Sequence, residues 1–154
     1  MLDIQVLNFP CIYTKSRRQS IFICHFQNYR MGTGSFATSV SCIDGRIQIP
    51  ISNWIKENHS VDYVDTITEP GLDKRISEFP EIAEELRKKV GISIKAHGSQ
   101  LVIVSGHAEC AGNPVSDEEH KEHIAKGVEV VKSWNLGVDV KGVWVDNQWK
   151  VNPV

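Results

Sequence analysis

The sequence predicts an α/β protein, a three-layer, mostly parallel β-sheet of about four strands flanked by helices. Three observations carry this. From Ser35 onward, short runs rich in apolar residues alternate with longer amphipathic ones, the order that builds a sheet through right-handed crossovers. The run "LVIVSG" starting at Leu101 is rich in β-branched residues, as a parallel strand covered on both faces requires. With 154 residues, of which 41% are hydrophobic and 23% charged, the chain is long enough for one domain with its own core.

The elements follow in order. "FATSVSC" (36–42) reads as the first strand, followed by a loop and a short helix around 51–58. "VDYVDTI" (61–67) is the second strand, ended by the turn-forming pair Pro70-Gly71. A helix runs through "PEIAEELRKKV" (80–90), where Ile82, Leu86 and Val90 fall four apart on one face. Gly91 is expected to break it before a second piece reaching Ala96. "LVIVSG" (101–106) is the third strand. Ser116 with Glu119 three residues later forms a capping box, and Asp117 and Glu118 suit the same helix start. Ile124, Val128 and Val131 supply that helix's apolar stripe, and "VKGVWVD" (140–146) is the last strand. There is no internal repeat and no low-complexity tract.

Composition narrows the function classes. A net charge of −2 leaves no basic excess to pair with nucleic-acid phosphates. The apolar runs are too short to span a bilayer. Lys15, Arg17 and Arg18 ahead of "IFICHF" (21–26) have the outline of a secretion signal. The basic region starts late, the run is short and His25 interrupts it, so a cytoplasmic protein with reduced thiols is expected. Of the four cysteines, Cys11 and Cys24 lack metal-type spacing, and Cys42 and Cys110 become candidates for metal binding or catalysis. Residues 1–34 are read as an N-terminal extension and 35–154 as the domain. Met31 can serve as a start, with "MGTGSFATSVSCIDGR" opening the domain directly.

Open α/β sheets place function at the carboxyl ends of their strands. The first strand ends in "CIDGR", with Cys42, Asp44 and Arg46 at alternate positions, which share one side if the chain stays extended. The third ends in "SGHAECAGNP", which supplies His107 and Cys110 in H-x-x-C spacing. Two thiolates and an imidazole suit zinc, and three protein ligands leave the open fourth position of a catalytic site.

The motifs "CIDGR" and "HAEC", in this order and on these elements, resemble those of the β-class carbonic anhydrases. They are more similar still to a compact branch in which C-x-D-G-R opens the domain. There, H-x-x-C runs into A-G-N-P and an acidic helix start, as in "CAGNPVSDEEH" here. The resemblance spans 36 to the C-terminus. It implies a β-carbonic-anhydrase-like sheet, one zinc ion per subunit held by Cys42, His107 and Cys110, and an Asp44–Arg46 dyad beside the metal. The implied reaction is reversible hydration of carbon dioxide to bicarbonate by zinc-bound hydroxide, with Asp44 orienting the hydroxide and Arg46 keeping Asp44 ionised and aimed. It further implies a homodimer or higher oligomer, because β-class clefts form between subunits. In some β-class enzymes the aspartate swings onto the zinc; Asp44 in that position lowers activity in acid.

Residues 1–34 show no clear match to the helical arm of ordinary β-class enzymes, and "TITEPGLDKR" matches only loosely. Two alternatives therefore stay open: a zinc hydrolase of carbonyl sulfide or carbon disulfide, and an inactive zinc-binding protein of the same fold. Elsewhere, His120 and His123 read as a solvated helix face in preference to a second metal pair or a proton shuttle. Glu109 is expected to face solvent or cap a backbone amide. Gly112, Asn113 and Pro114 read as turn chemistry, and Trp54, Trp134, Trp144 and Trp149 as core and interface packing.

Overall fold

A computed structural model describes residues 33–154. The proposed extension (save its last two residues), Met31, Cys11 and Cys24 lie outside them. Four parallel strands form the sheet's body: β1 (Phe36–Ser41), β2 (Tyr63–Thr68), β3 (Leu101–His107) and β4 (Asp139–Val145). A short fifth strand, β5 (Val151–Pro153), folds back antiparallel on β4, giving the order β2-β1-β3-β4-β5. Within β1 and β3, Thr38 pairs with Val102 and Val40 with Val104.

Alternation along the strands sorts the core into two layers. Ala37, Leu101, Ile103, Val143 and Val145 face one side and meet Ile47, Ile51 and Ile55 of α1 (Gly45–His59). Val40, Val102, Val104 and Trp144 face the other. There they meet α2 (Leu72–Glu78), α3 (Pro80–Ile92) and α4 (Asp117–Ser133). Helices on both faces of a mostly parallel sheet give the three layers the sequence predicts. β3 is buried along its whole length, as its composition demands.

The differences have physical reasons. The first helix starts at Gly45, six residues before the expected 51, and carries Pro50 inside it. Proline reads as a helix start, yet here the isoleucine stripe on α1 holds the helix against the sheet through the residue that lacks an N–H. α2 was not expected after Pro70-Gly71. Gly71 takes the left-handed φ of 57° that turns the chain out of β2 into it. Gly91 does not break its helix, which continues into one π-helical turn, Ser93–His97, and stops at left-handed Gly98. β5 was missed because three residues carry no periodicity of their own. The capping box stands as read: Ser116 Oγ accepts from the Glu119 N–H at 3.3 Å, and Glu119 Oε2 accepts from the Ser116 N–H at 3.1 Å.

Candidate metal centre

β1 and β3 are neighbours, so their carboxyl ends deliver Cys42 and His107 side by side, and the turn after β3 returns Cys110 to the same point. One ligand atom from each of the three lies within 4.8 Å of the others. All three side chains are buried. Among the described residues this is the one cluster of three or more His, Cys, Asp or Glu with donor atoms close enough to hold a metal ion.

The charge state of the cluster follows from its contacts. The Cys110 thiol donates to Cys42 Sγ at 3.8 Å. The Gly71 N–H donates to the same sulfur at 3.4 Å. The Cys110 contact lowers the Cys42 pKa, against burial, with His107 and the backbone N–H groups of Gly71 and Asp44 adding to it. The same contact with Cys42, together with burial, raises Cys110. A second negative charge beside the first is thus disfavoured, and the pair shares one proton. Burial works to lower His107, but the Cys42 sulfur and the Ala108 carbonyl outweigh it and raise the imidazole.

His107 is aimed for ligation. Its Nδ1–H donates to the Ala108 carbonyl at 2.8 Å, while Nε2 is buried without a hydrogen-bond partner. An imidazole held by one nitrogen with the other unpartnered is the usual state of a metal ligand's ring. An orphaned buried acceptor is otherwise costly. With two sulfur donors beside it, the donor set fits a zinc ion.

Asp44 and Arg46 do not lie along a strand. β1 ends at Ser41, Asp44 is the N-cap of α1, and Arg46 sits in its first turn. The alternation read from the sequence is thus corrected: an extended chain is not what brings them together. Asp44 Oδ1 accepts the Arg46 backbone N–H at 2.9 Å, the ordinary capping bond. Arg46 then folds back over the cap. Its Nε donates to the two Asp44 oxygens at 3.0 and 3.1 Å, and Nη2 donates to Oδ2 at 2.7 Å. These bonds hold the Asp44 pKa at about 2. Asp44 faces Arg46 and not the donor set. Gln48, which carries no motif signal, shapes the turn between them by donating to the carbonyls of Cys42 and Asp44 at 2.7 and 2.8 Å.

Glu109 is exposed, as expected, but its carboxylate meets Arg46 Nη1 at 3.2 Å. His120 is not on a solvated face. It is buried, and its Nδ1–H donates to the buried Asp73 carboxylate at 2.5 Å. Asn113 donates to the same carboxylate at 2.9 Å and to His123 Nδ1 at 3.0 Å. Turn chemistry accounts for Gly112 but not for Asn113, which is buried and ties the Cys110 loop to α2 and α4. Asp73 was not singled out because its helix was not foreseen.

The model of the family described as "Putative carbonic anhydrase" matches residues 32–154. The chain belongs to that family. Solved structures agree on the fold. A carbonic anhydrase from Streptococcus mutans is similar with a TM-score of 0.55 at 12% identity, over 86% of this chain and 87% of that one. The apo form of a carbon disulfide hydrolase follows, with a TM-score of 0.54 at 13% identity, over 81% and 78%. A β-carbonic anhydrase of Aspergillus fumigatus gives 0.51 at 11%, over 80% and 76%. No curated protein matches the sequence. Among the described residues, no helix is long and apolar enough to cross a membrane.

Proposed function

We propose that this family member is a zinc-dependent carbonic anhydrase that interconverts carbon dioxide and bicarbonate. The observation that carries the reading is the buried Cys42–His107–Cys110 set, with Asp44 outside it and bonded to Arg46. Three donors, with no fourth protein ligand among the described residues, leave room for a reacting water.

Cys42, Cys110 and His107 Nε2 would hold the zinc ion, which when bound supplies Lewis acidity and a nucleophilic water at neutral pH. The protein's own groups do the rest. The two thiols, which share a proton before the metal arrives, give it up on ligation. The Ala108 carbonyl fixes the His107 tautomer so that Nε2 offers its lone pair. Asp44, kept ionised by Arg46, can only accept hydrogen bonds. It therefore orients the nucleophile's O–H toward itself and its lone pair toward the carbon of the substrate. Arg46 holds that carboxylate in one position across two of its nitrogens. The proton released in hydration passes to solvent and buffer. The same reading carries a homodimer or larger homo-oligomer.

Metal analysis with stopped-flow carbon dioxide hydration tests this on wild type and Asp44→Ala. Expected are about one zinc per chain and a wild-type rate that Asp44→Ala lowers by about 10²-fold. A zinc-loaded protein without hydration from neutral to alkaline pH sinks the reading. Turnover of carbonyl sulfide or carbon disulfide in its place moves it to hydrolysis of those analogues.

A further inference from the structure

Arg46 is held by more than the carboxylate it serves. Its guanidinium lies over the Trp149 ring at 4.5 Å from the centroid. Its Nη1 meets Glu109 Oε2 at 3.2 Å. These partners come from separate parts of the chain, the β4–β5 turn and the loop after β3 that carries Cys110. Both have backbones in the left-handed region, Trp149 at φ 62° and Glu109 at φ 57°. That region disfavours a residue with a Cβ, and a bulky ring most of all. Glycine would fit either place more easily, yet the chain has a tryptophan and a glutamate there, and both reach the same guanidinium.

The turn around Trp149 is built to present the ring. Asp146 Oδ1 accepts the N–H groups of Gln148 and Lys150, each at 2.9 Å, and the Trp149 N–H donates to the Asp146 carbonyl at 3.0 Å. One part of the indole packs against the α1 side of the core, and the ring's face takes the cation. An aromatic face attracts a guanidinium without satisfying any of its N–H groups. Arg46 can therefore stack on Trp149 and keep Nε and Nη2 on Asp44.

We infer that Trp149 and Glu109 are positioning residues that clamp Arg46 onto Asp44, holding the carboxylate off the metal donors so that the fourth position stays open. The inference rests on the proposed zinc site for its consequence, but not for the clamp itself. Even with these partners in place 45% of the Arg46 side-chain surface is open to solvent, so without them the guanidinium is free to leave Asp44 for water. Asp44 is then released too. Trp149, distant in sequence from every motif, thus reaches Asp44 through Arg46.

The test reads Arg46 directly, by hydrogen exchange of its Nε–H in the ¹⁵N spectrum of the full chain without metal, assigned with Arg46→Lys. Trp149→Leu keeps apolar bulk and removes the ring's face; Trp149→Phe restores a weaker one; Glu109→Gln removes only the surface charge. Exchange is expected to rise by about fivefold in Trp149→Leu and by about twofold in Glu109→Gln, and to return toward wild type in Trp149→Phe. In the zinc-loaded protein, Trp149→Leu lowers kcat with zinc content and KM unchanged. An Nε–H rate in Trp149→Leu indistinguishable from wild type, with the fold intact by circular dichroism, overturns the clamp. So does an equal rise in Trp149→Phe. Should wild type hydrate no carbon dioxide while the exchange rates follow the expected order, the clamp stands and the enzymatic reading falls.

Discussion

A single shared proton decides how this site takes up metal. Cys42 and Cys110 share one proton, because a second negative charge 3.8 Å away in a buried site is unfavourable. Ligation of both sulfurs must expel it. Zinc titrations at neutral pH in buffers of different ionisation enthalpy should therefore report release of roughly one proton, not two. Release of two would mean that the site carries a second proton beforehand, on a thiol or on the raised His107 imidazole. Asp44 gives a second prediction at this scale. Its side-chain carboxyl should titrate near pH 2 by ¹³C NMR and move up toward the ordinary carboxylate range in Arg46→Ala, since hydrogen bonds from Arg46 cause the shift. The residues of the site are the legible part of the sequence. Thiolates, an imidazole and a carboxylate–guanidinium pair have chemistry that their identity alone announces, and strand ends say where to look. His120 was misread for the opposite reason. An imidazole at the start of an acidic helix looks solvated until Asp73, on an element with no periodic signal, is placed against it.

At the level of elements, the turn before α2 and the loop after β3 back the donors, and they are fixed by contacts invisible in a motif. The turn before α2 backs onto the turn after Cys110, so closely that a Cβ on Gly71 would lie 2.3 Å from the Gly112 carbonyl oxygen. Asp73, Asn113 and His120 tie the same two segments through one buried carboxylate. Asp73→Ala leaves the imidazole and the amide without that partner, and should destabilise the fold by about 1–3 kcal/mol in urea unfolding. A loss below about 1 kcal/mol would show that water takes over the carboxylate's role. The α4 start offers a milder control. Ser116→Ala removes the capping bond at the other end of the same loop and should cost about 1 kcal/mol. Strand and long-helix positions were legible because burial imposes a period on them. α2 and β5 were not, because elements of seven and three residues are fixed by what they pack against.

The whole molecule shares one acid sensitivity. Asp44, Asp62, Glu119 and Asp146 each accept backbone N–H groups, and these bonds, with the Arg46 side chain foremost for Asp44, lower every one of their pKa values. A carboxylate whose folded pKa lies below its unfolded one contributes stability that is complete above the unfolded value, about 4. That contribution is lost as pH falls through the folded values. Thermal midpoints of the metal-free protein should therefore be level with respect to these groups from pH 7 to about 5 and drop below about 4. Asp146→Asn should flatten part of the drop, because the amide keeps a carbonyl acceptor for the turn but has no charge to lose. A midpoint that rises on acidification would contradict this.

The pairing of Val40 with Val104 carries one more consequence. Parallel strands can re-pair one residue out of register, a shift of about 3.3 Å that turns every side chain to the other face. Here such a slide would pull Cys42 away from His107, as well as turning Val40 toward the wrong layer. The donor cluster is thus a vernier on the two central strands, closing only when they are aligned. An ion that needs all three atoms would proofread that alignment, drawing slipped chains back into the native one by binding no other.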